Sequence, residues 1–256
     1  MAVRKETGLD YERAIRRAVL AAFERSEVSL TPADLARAAG FSAFHFSRMF
    51  GGMMGESPGE FLWKVQEASH LVQGILNRTM LMDEPREWLD VGRFLERADQ
   101  TNRLLDVKYH DILPSIPQRR GQPPETLPDP LGVGGPLDTH GWIAVLKSVS
   151  AFEMYRKTYR DGIVPANVVA FLELQPEFPA SVRHGVKRVL DCLKRIRKEQ
   201  TAPRLRAPEQ LALKLLADLE FDQADQIIET GLHEYLQDKQ DRMAALGAAI
   251  RKAYLA

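Results

Sequence analysis

The sequence predicts an all-α protein, in which an N-terminal helix-turn-helix unit is followed by an antiparallel helical bundle. Apolar residues recur every three or four positions along most of the chain, as on the buried face of a helix. The alternation of apolar and polar residues that marks half-buried β-strands is absent. Proline and glycine separate the periodic stretches and end the helices. We expect two domains, residues 1–66 and 67–256.

The composition is that of a soluble globular protein, with 45% hydrophobic and 27% charged residues. The 35 basic residues balance the 35 acidic ones, so no net charge draws the chain toward nucleic acid or a membrane. No apolar run approaches the roughly 18 residues of a membrane span, and no N-terminal apolar segment resembles a secretory signal. Cys192 is the only cysteine, which excludes an internal disulfide. These observations predict a cytoplasmic protein without a membrane partner.

Residues 30–62 contain the signals of two short helices separated by a tight turn. Thr31 is placed to cap the first helix, and Pro32 suits its first turn. The carboxylate of Asp34 then lies near the positive end of the helix dipole. Gly40 is expected to end this helix, because glycine tolerates the positive φ that helix ends often need.

Ser42 is predicted to cap a second helix of roughly eight residues, Ala43 to Phe50. Three of its apolar side chains share one face and are expected in the core: Phe46, Met49 and Phe50. Four residues remain on its other sides, namely Phe44, His45, Ser47 and Arg48. A short capped helix with polar groups outside is what the major groove of DNA accepts.

This segment resembles the DNA-binding region of the AraC/XylS transcription regulators. The resemblance rests on the motifs LA at 35–36, GFS at 40–42, HF at 45–46, RMF at 48–50 and GESPGEFL at 55–62. In that family the second helix of the unit enters the major groove, which implies double-stranded DNA as the partner. Carried over by position, Phe44, Ser47 and Arg48 face bases, while Ser42 and His45 lie near phosphates. Arg48 is the candidate for a guanine contact, since guanidinium matches the O6/N7 pair.

The sequence departs from that family in one respect. AraC-type regions carry two helix-turn-helix units, whereas no second copy of the turn signature follows Leu62. Residues 1–66 hold nine basic and eight acidic residues, a net charge of only +1, while DNA binders are usually strongly basic. A homodimer would supply a second recognition helix. The alternative is a helix-turn-helix kept for packing or dimerisation; a basic surface around five arginines would favour DNA instead, namely Arg13, Arg16, Arg17, Arg37 and Arg48.

The rest of the chain reads as helix with one long interruption. Residues 114–135 contain six prolines and four glycines, which predicts a long irregular loop. Before it we expect helices from Phe61 to about Met82 and from about Glu84 to Leu113. After it we expect helices over Thr139–Tyr159, Pro165–Leu174, Ala180–Lys198, Pro208–Thr230 and Leu232–Tyr254, the last two being separate or continuous through Gly231.

A second resemblance rests on the block GRFLERADQTNRLLDVKYH at residues 92–110. Three further stretches support it: WIAVLKSVSAFEMYRKTY, VVAFLELQPEFPASVRHGVKRV and GLHEYLQDKQDRMAALGAAIRKAY. From about Ala68 onward the chain resembles the C-terminal half of the bacterial alpha-E domain, an all-helical family with an internal duplication. The neighbouring genes of that family typically encode ATP-grasp ligases and transglutaminase-like proteases. The resemblance therefore implies an accessory role, with such proteins as partners, in making or trimming a small peptide.

The same block places five charged residues on one helix: Glu96, Arg97, Asp99, Arg103 and Asp106. Glu96 and Asp99 both lie within two turns of Arg103, so ion pairs along the helix are expected. A buried version of this row would join two helices through charge-assisted hydrogen bonds. A functional version would present carboxylates to a cation or a peptide amine.

His110 and His233 are the remaining candidate side chains. Glu229 lies four residues before His233, on the same face if the helix is continuous. Gln237 stands where a zinc protease motif would need its second histidine, so no metal site is expected. We also expect no cofactor and no catalytic residue. The sequence thus favours a DNA-binding regulator whose helical domain dimerises or senses a ligand, over an accessory protein of a ligase- or transglutaminase-linked pathway.

Overall fold

The computed structural model describes residues 10–20, 31–112, 136–199 and 204–254. All regular secondary structure in these ranges is helical, which confirms the predicted all-α class. The loop predicted at residues 114–135 lies outside the described residues. Within the described ranges, no helix is long and apolar enough to cross a membrane.

The chain forms two compact units, residues 1–80 and 81–256, which are described separately below. The first holds α1 (residues 10–20), α2 (Pro32–Ala39), α3 (Ala43–Met54) and α4 (Pro58–Thr79). The boundary between the units follows α4 instead of dividing this helix after residue 66. Its core is contributed by all four helices and consists of Ala14, Ile15, Ala18, Leu35, Ala36, Ala39, Phe46, Met49, Phe50, Phe61, Leu62 and Val65.

Helix capping in the first unit follows the predicted signals. The Thr31 hydroxyl accepts a hydrogen bond from the Asp34 amide at 3.3 Å, and the Asp34 carboxylate accepts one from the Thr31 amide at 3.0 Å. Gly40 ends α2 at a φ of 80°. Ser57 and Glu60 form a second reciprocal cap, so α4 begins at Pro58, earlier than the predicted Phe61.

Helix α3 is longer than predicted. It continues past Phe50 through Gly51 and Gly52 and ends at Met54, where Gly55 adopts a φ of 74°. A glycine inside a helix costs only about 1 kcal/mol relative to alanine, which is too little to stop a helix whose next turn can form. Helix α3 therefore ends where Gly55 adopts the left-handed conformation. It does not end at Gly51, the first glycine after Phe50.

The second unit consists of α5 (Glu84–Ile112), α6 (Pro136–Ser148), α7 (Phe152–Thr158), α8 (Pro165–Val169) with a π-helical turn at Ala170–Leu174, α9 (Val182–Glu199), α10 (Ala207–Phe221), α11 (Ala224–Thr230) and α12 (Leu232–Tyr254). Two predicted helices were too long. The chain breaks between α6 and α7, where Ser150 has a φ of 54°. It breaks again between α10 and α11, and Gly231, at a φ of 116°, separates α11 from α12.

Helix α5 lies at the centre of this unit and packs against both α9 and α12. The approach of α9 is close, because a Cβ on Gly185 would lie 2.9 Å from both the Ala98 Cβ and the Phe94 carbonyl oxygen. Cys192 is buried between α5, α9, α10 and α12, as expected for a structural cysteine. A second apolar core joins α6, α7, α8 and α11 to the end of α5 and the start of α12.

Candidate functional site

The outer surface of α3 carries the predicted DNA-facing residues. The Ser42 hydroxyl accepts a hydrogen bond from the His45 amide at 3.4 Å and caps the helix. Phe44, Ser47 and Arg48 are exposed, with 74% of Phe44 open to solvent. The Arg48 guanidinium carbon lies 5.9 Å from the centroid of the Phe44 ring, within range of a cation–π contact. Phe44 is one of several exposed apolar side chains of the first unit, which include Trp63 at 61%.

His45 is exposed but held in place by two aromatic neighbours. Its Nε2 lies 3.3 Å from the Tyr11 hydroxyl. Its ring meets those of Tyr11 and Phe41 edge-on, at centroid distances of 5.7 Å and 4.9 Å. These contacts attach the first turn of α3 to α1 and orient the face that carries Phe44.

The five arginines expected around this surface divide into two groups. Three have partners in the unit: Arg13 with Asp10 at 3.7 Å, Arg17 with the Ala39 carbonyl at 3.0 Å, and Arg37 with Asp34 at 3.0 Å. No described carboxylate lies within ion-pair distance of Arg16 or Arg48. No acidic residue occurs between Asp34 and Glu56, so α3 and its flanking turns carry only positive or neutral side chains.

The charged row of the GRFLERADQ block lies along α5. The Asp99 carboxylate accepts a hydrogen bond from Arg103 Nε at 2.6 Å, and this bond raises the pKa of Arg103. Glu96 accepts a hydrogen bond from Gln100 at 3.1 Å, and Arg97 is half-buried. The row therefore includes local ion pairing along one helix, of the kind expected from the spacing.

Asp106 reaches a second helix. Its Oδ1 lies 2.7 Å from Nδ1 of His233 on α12, and this contact raises the pKa of the imidazole. The prediction that Glu229 and His233 share one helical face is wrong, because Gly231 places them on different helices. The side chain of His110 lies outside the described residues. Among the described side chains, no group of three or more His, Cys, Asp or Glu is placed to hold a metal ion.

A buried polar cluster in the second unit has no counterpart in the sequence predictions. Glu173, on the π-helical turn, is fully buried, and neither carboxylate oxygen has a hydrogen-bond partner among the described groups. Burial raises the pKa of Glu173 to about 8, with the positive charge of Lys239 opposing the shift. The Asp222 carboxylate accepts from the Tyr235 hydroxyl at 2.9 Å and lies 3.2 Å from Lys239 Nζ.

One sequence signal could have pointed to this cluster. Glu173 is the only charged residue in the apolar run IVPANVVAFLEL at residues 163–174. A charged residue in such a run lies either at the surface or in the core, and helical periodicity alone does not distinguish these two positions. The π-helical turn that buries it is visible only in the folded chain.

The outer surface of α3 is open to solvent and carries no acidic side chain. A family model described as "Alpha-E: A predicted alpha-helical domain with a conserved ER motif" matches residues 4–255. This match includes the first unit, whereas the resemblance found in the sequence began only at about Ala68. No curated protein and no solved structure matches the chain significantly.

Proposed function

Because the chain belongs to the Alpha-E family, and its first unit exposes a capped helix suited to a DNA groove, we propose that it is an Alpha-E protein that binds double-stranded DNA. In this proposal α2 and α3 form a helix-turn-helix similar to the first unit of AraC/XylS regulators. The second unit dimerises or senses a ligand.

The observation that carries the proposal is the exposed face of α3. The Ser42 cap fixes where the helix begins, and Phe46 and Phe50 anchor its opposite face in the core. Phe44, Ser47 and Arg48 then project outward from a helix without acidic residues. This arrangement meets the steric and electrostatic needs of a helix entering a major groove.

Each outward residue has a role consistent with its chemistry. Arg48 donates two parallel hydrogen bonds to guanine, and the cation–π contact with Phe44 restricts its rotamers beforehand. Phe44 offers an apolar surface to a thymine methyl group. Ser42 and the backbone amides at the start of α3 lie near a phosphate, where the helix dipole favours negative charge.

A single recognition helix makes few phosphate contacts, which limits its affinity. The proposal therefore includes a homodimer, whose two α3 helices meet half-sites about one DNA turn apart. A palindromic binding site with that spacing would follow from the two-fold symmetry.

The test is a selection of genomic DNA fragments by the purified full-length chain, repeated over a range of salt concentrations. We expect one enriched sequence motif, binding that weakens as salt rises, and loss of that motif in Arg48→Ala. Arg160→Ala is the matched control, because Arg160 is an exposed arginine of the second unit. Wild-type recognition by Arg48→Ala would disprove the groove assignment.

The second candidate is the accessory role in an ATP-grasp ligase or transglutaminase-linked pathway. One observation favours it: the family match begins at residue 4, which includes α1 to α4 in the family's own helical domain. In that case the helix-turn-helix is a scaffold. Two results together would favour this candidate. The chain would form a complex with an ATP-grasp ligase that survives size-exclusion chromatography, and the DNA selection would show no enriched motif.

A further inference from the structure

Two arginines flank one aromatic ring where α5 meets α9. The guanidinium carbon of Arg93 lies 4.8 Å from the centroid of the Phe94 ring, and that of Arg188 lies 5.0 Å from it. Phe94 itself is buried. Since both charges lie within about 5 Å of one ring centroid, they cannot be more than about 10 Å apart. Two positive groups this close repel each other unless a negative charge lies near them.

Positive charge exceeds negative charge in this cluster. The Asp90 carboxylate pairs with two of the arginines, at 3.4 Å from Arg86 and 2.8 Å from Arg93. Glu87 accepts hydrogen bonds from Arg195 at 2.6 Å and 2.7 Å through its two oxygens. The Nε of Arg93 is buried and donates to no described group. A buried donor of this kind is costly unless something absent from the chain accepts its hydrogen bond.

Arg188 is half-buried, and its guanidinium contacts the Phe94 ring. Within the described residues, Arg188 forms no ion pair within 4 Å, although its charge adds to the hydrogen bond from Arg195 in lowering the pKa of Glu87. Asp191, one turn further along α9, is also beyond that distance. Counting Arg86, Arg93, Arg188 and Arg195 against Glu87, Asp90 and Asp191, the cluster carries a net charge of +1.

We infer that this cluster, at the junction of α5 and α9, binds an oxyanion, and that a phosphate group held by Arg93 and Arg188 is the ligand it fits. A phosphate group is attracted by this excess positive charge and accepts several hydrogen bonds from planar guanidinium groups. Gly92, next to Arg93, is exposed, and a Cβ there would meet no atom within 4 Å, so the surface of α5 beside Arg93 is not crowded. His184, whose ring centroid lies 6.0 Å from that of Phe94, borders the same site.

This site is independent of the proposed function. It lies within the second unit and uses none of the residues of α3. Two sources of phosphate are conceivable, a small phosphorylated ligand and the backbone of DNA. The half-buried position of Arg93, whose side chain is 18% exposed, favours the small ligand, because a duplex backbone reaches mainly exposed cations.

The test is calorimetric titration of the full-length protein with inorganic phosphate, with sodium chloride at equal ionic strength as the reference. We expect saturable binding that weakens about tenfold in Arg188→Gln, since one charge-assisted contact is lost. Lys187→Gln is the matched control, because it removes an exposed positive charge from the adjacent position on α9. Its affinity for phosphate should equal that of the wild type.

Several outcomes separate the possibilities. The proposed site is overturned if the wild type shows no saturable phosphate binding. It is also overturned if Lys187→Gln weakens phosphate binding as much as Arg188→Gln does. Arg188→Lys, which keeps the charge but lacks the planar fork, should fold normally by circular dichroism and still bind phosphate less tightly. Affinity for a random 20-base-pair duplex, measured in parallel, should be unchanged in Arg188→Gln. A loss of duplex affinity without any effect on phosphate would contradict the small-ligand site.

Discussion

The imidazole Nδ1 of His233 lies 2.7 Å from Oδ1 of Asp106, which links α12 to α5 across 127 positions of sequence. Asp106 belongs to the charged row of the GRFLERADQ block, so this bond is where that row contacts another helix. Because the two groups attract more strongly when the imidazole is protonated, their contribution to stability depends on pH.

The first prediction concerns that pH dependence. The pKa of His233 is raised in the folded protein above its ordinary value of 6.5, because the bond to Asp106 favours the charged imidazole. The stabilisation is therefore complete below the unfolded pKa and is lost as the pH rises through the folded pKa. The free energies of unfolding of wild type and His233→Gln, measured with urea, should differ most near pH 5.5 and least near pH 9.

The control for this experiment is Asp106→Asn. In proteins that carry Asp106→Asn, replacing His233 by glutamine should change the free energy of unfolding by an amount that no longer depends on pH. An NMR titration of the His233 ring should give a pKa above that of a free histidine in wild type and a lower one in Asp106→Asn. Unchanged titration in the variant would show that another group sets the imidazole pKa.

The second prediction concerns Glu173. Its pKa is raised from 4.5 to about 8 by burial, so between these values the unfolded chain releases a proton that the folded chain retains. The free energy of unfolding must then fall as the pH rises from about 5 to about 8. Glu173→Gln, which cannot ionise, should gain stability relative to wild type over this range.

Chemical denaturation at pH 5, 6.5 and 8 measures the effect. Glu153→Gln serves as the control, because Glu153 is exposed on α7 and should give a difference that does not change with pH. If the curves of wild type and Glu173→Gln run parallel from pH 5 to pH 8, Glu173 is not a buried neutral acid.

The third prediction tests the close packing of α5 and α9. Gly185→Ala places a Cβ 2.9 Å from the Ala98 Cβ and the Phe94 carbonyl, so the helices must separate. We expect a loss of about 1–3 kcal/mol in the free energy of unfolding. Gly92→Ala, on α5 of the same unit, adds the same atom into open space and should instead stabilise by about 0.5–1 kcal/mol. Equal effects of the two substitutions would refute the packing argument.

The fourth prediction concerns the start of α4. The Ser57 hydroxyl accepts a hydrogen bond from the Glu60 amide at 3.2 Å, and the Glu60 carboxylate accepts one from the Ser57 amide at 2.8 Å. Ser57→Ala removes half of this cap and should cost the first unit about 1 kcal/mol. The pKa of Glu60 is lowered first by the Ser57 backbone amide, which the variant keeps, and then by the Ser57 side chain, so the pKa should rise only in part in the variant.

Hydrogen exchange of the α4 amides, together with a carboxyl NMR titration, reports both effects. Ser69→Ala, in the interior of α4, is the control, because it removes a serine hydroxyl without touching a cap. Faster exchange at the first turn of α4 is expected only in Ser57→Ala.

Local signals in the sequence were sufficient for much of the first unit. Thr31, Gly40 and Ser42 act as predicted, since a cap or a left-handed residue depends mainly on its immediate neighbours. The exposure of Phe44 and Arg48 also followed from helical spacing alone. The C-terminal end of α3 did not, because two glycines weaken a helix without choosing its last residue.

The all-α class, the caps at Thr31 and Ser42 and the buried faces of the helices were determined by the sequence itself, because each depends on residues within about two turns of one another. Only the tertiary structure decided which charges meet. Asp106 and His233, Glu173 and Lys239, and Arg93 and Arg188 are far apart in the chain, and helical periodicity carries no information about which helices pack together. The contacts and burial of these residues, and the raised pKa values of His233 and Glu173, depend on that packing, through the loss of solvent and the distance between charges.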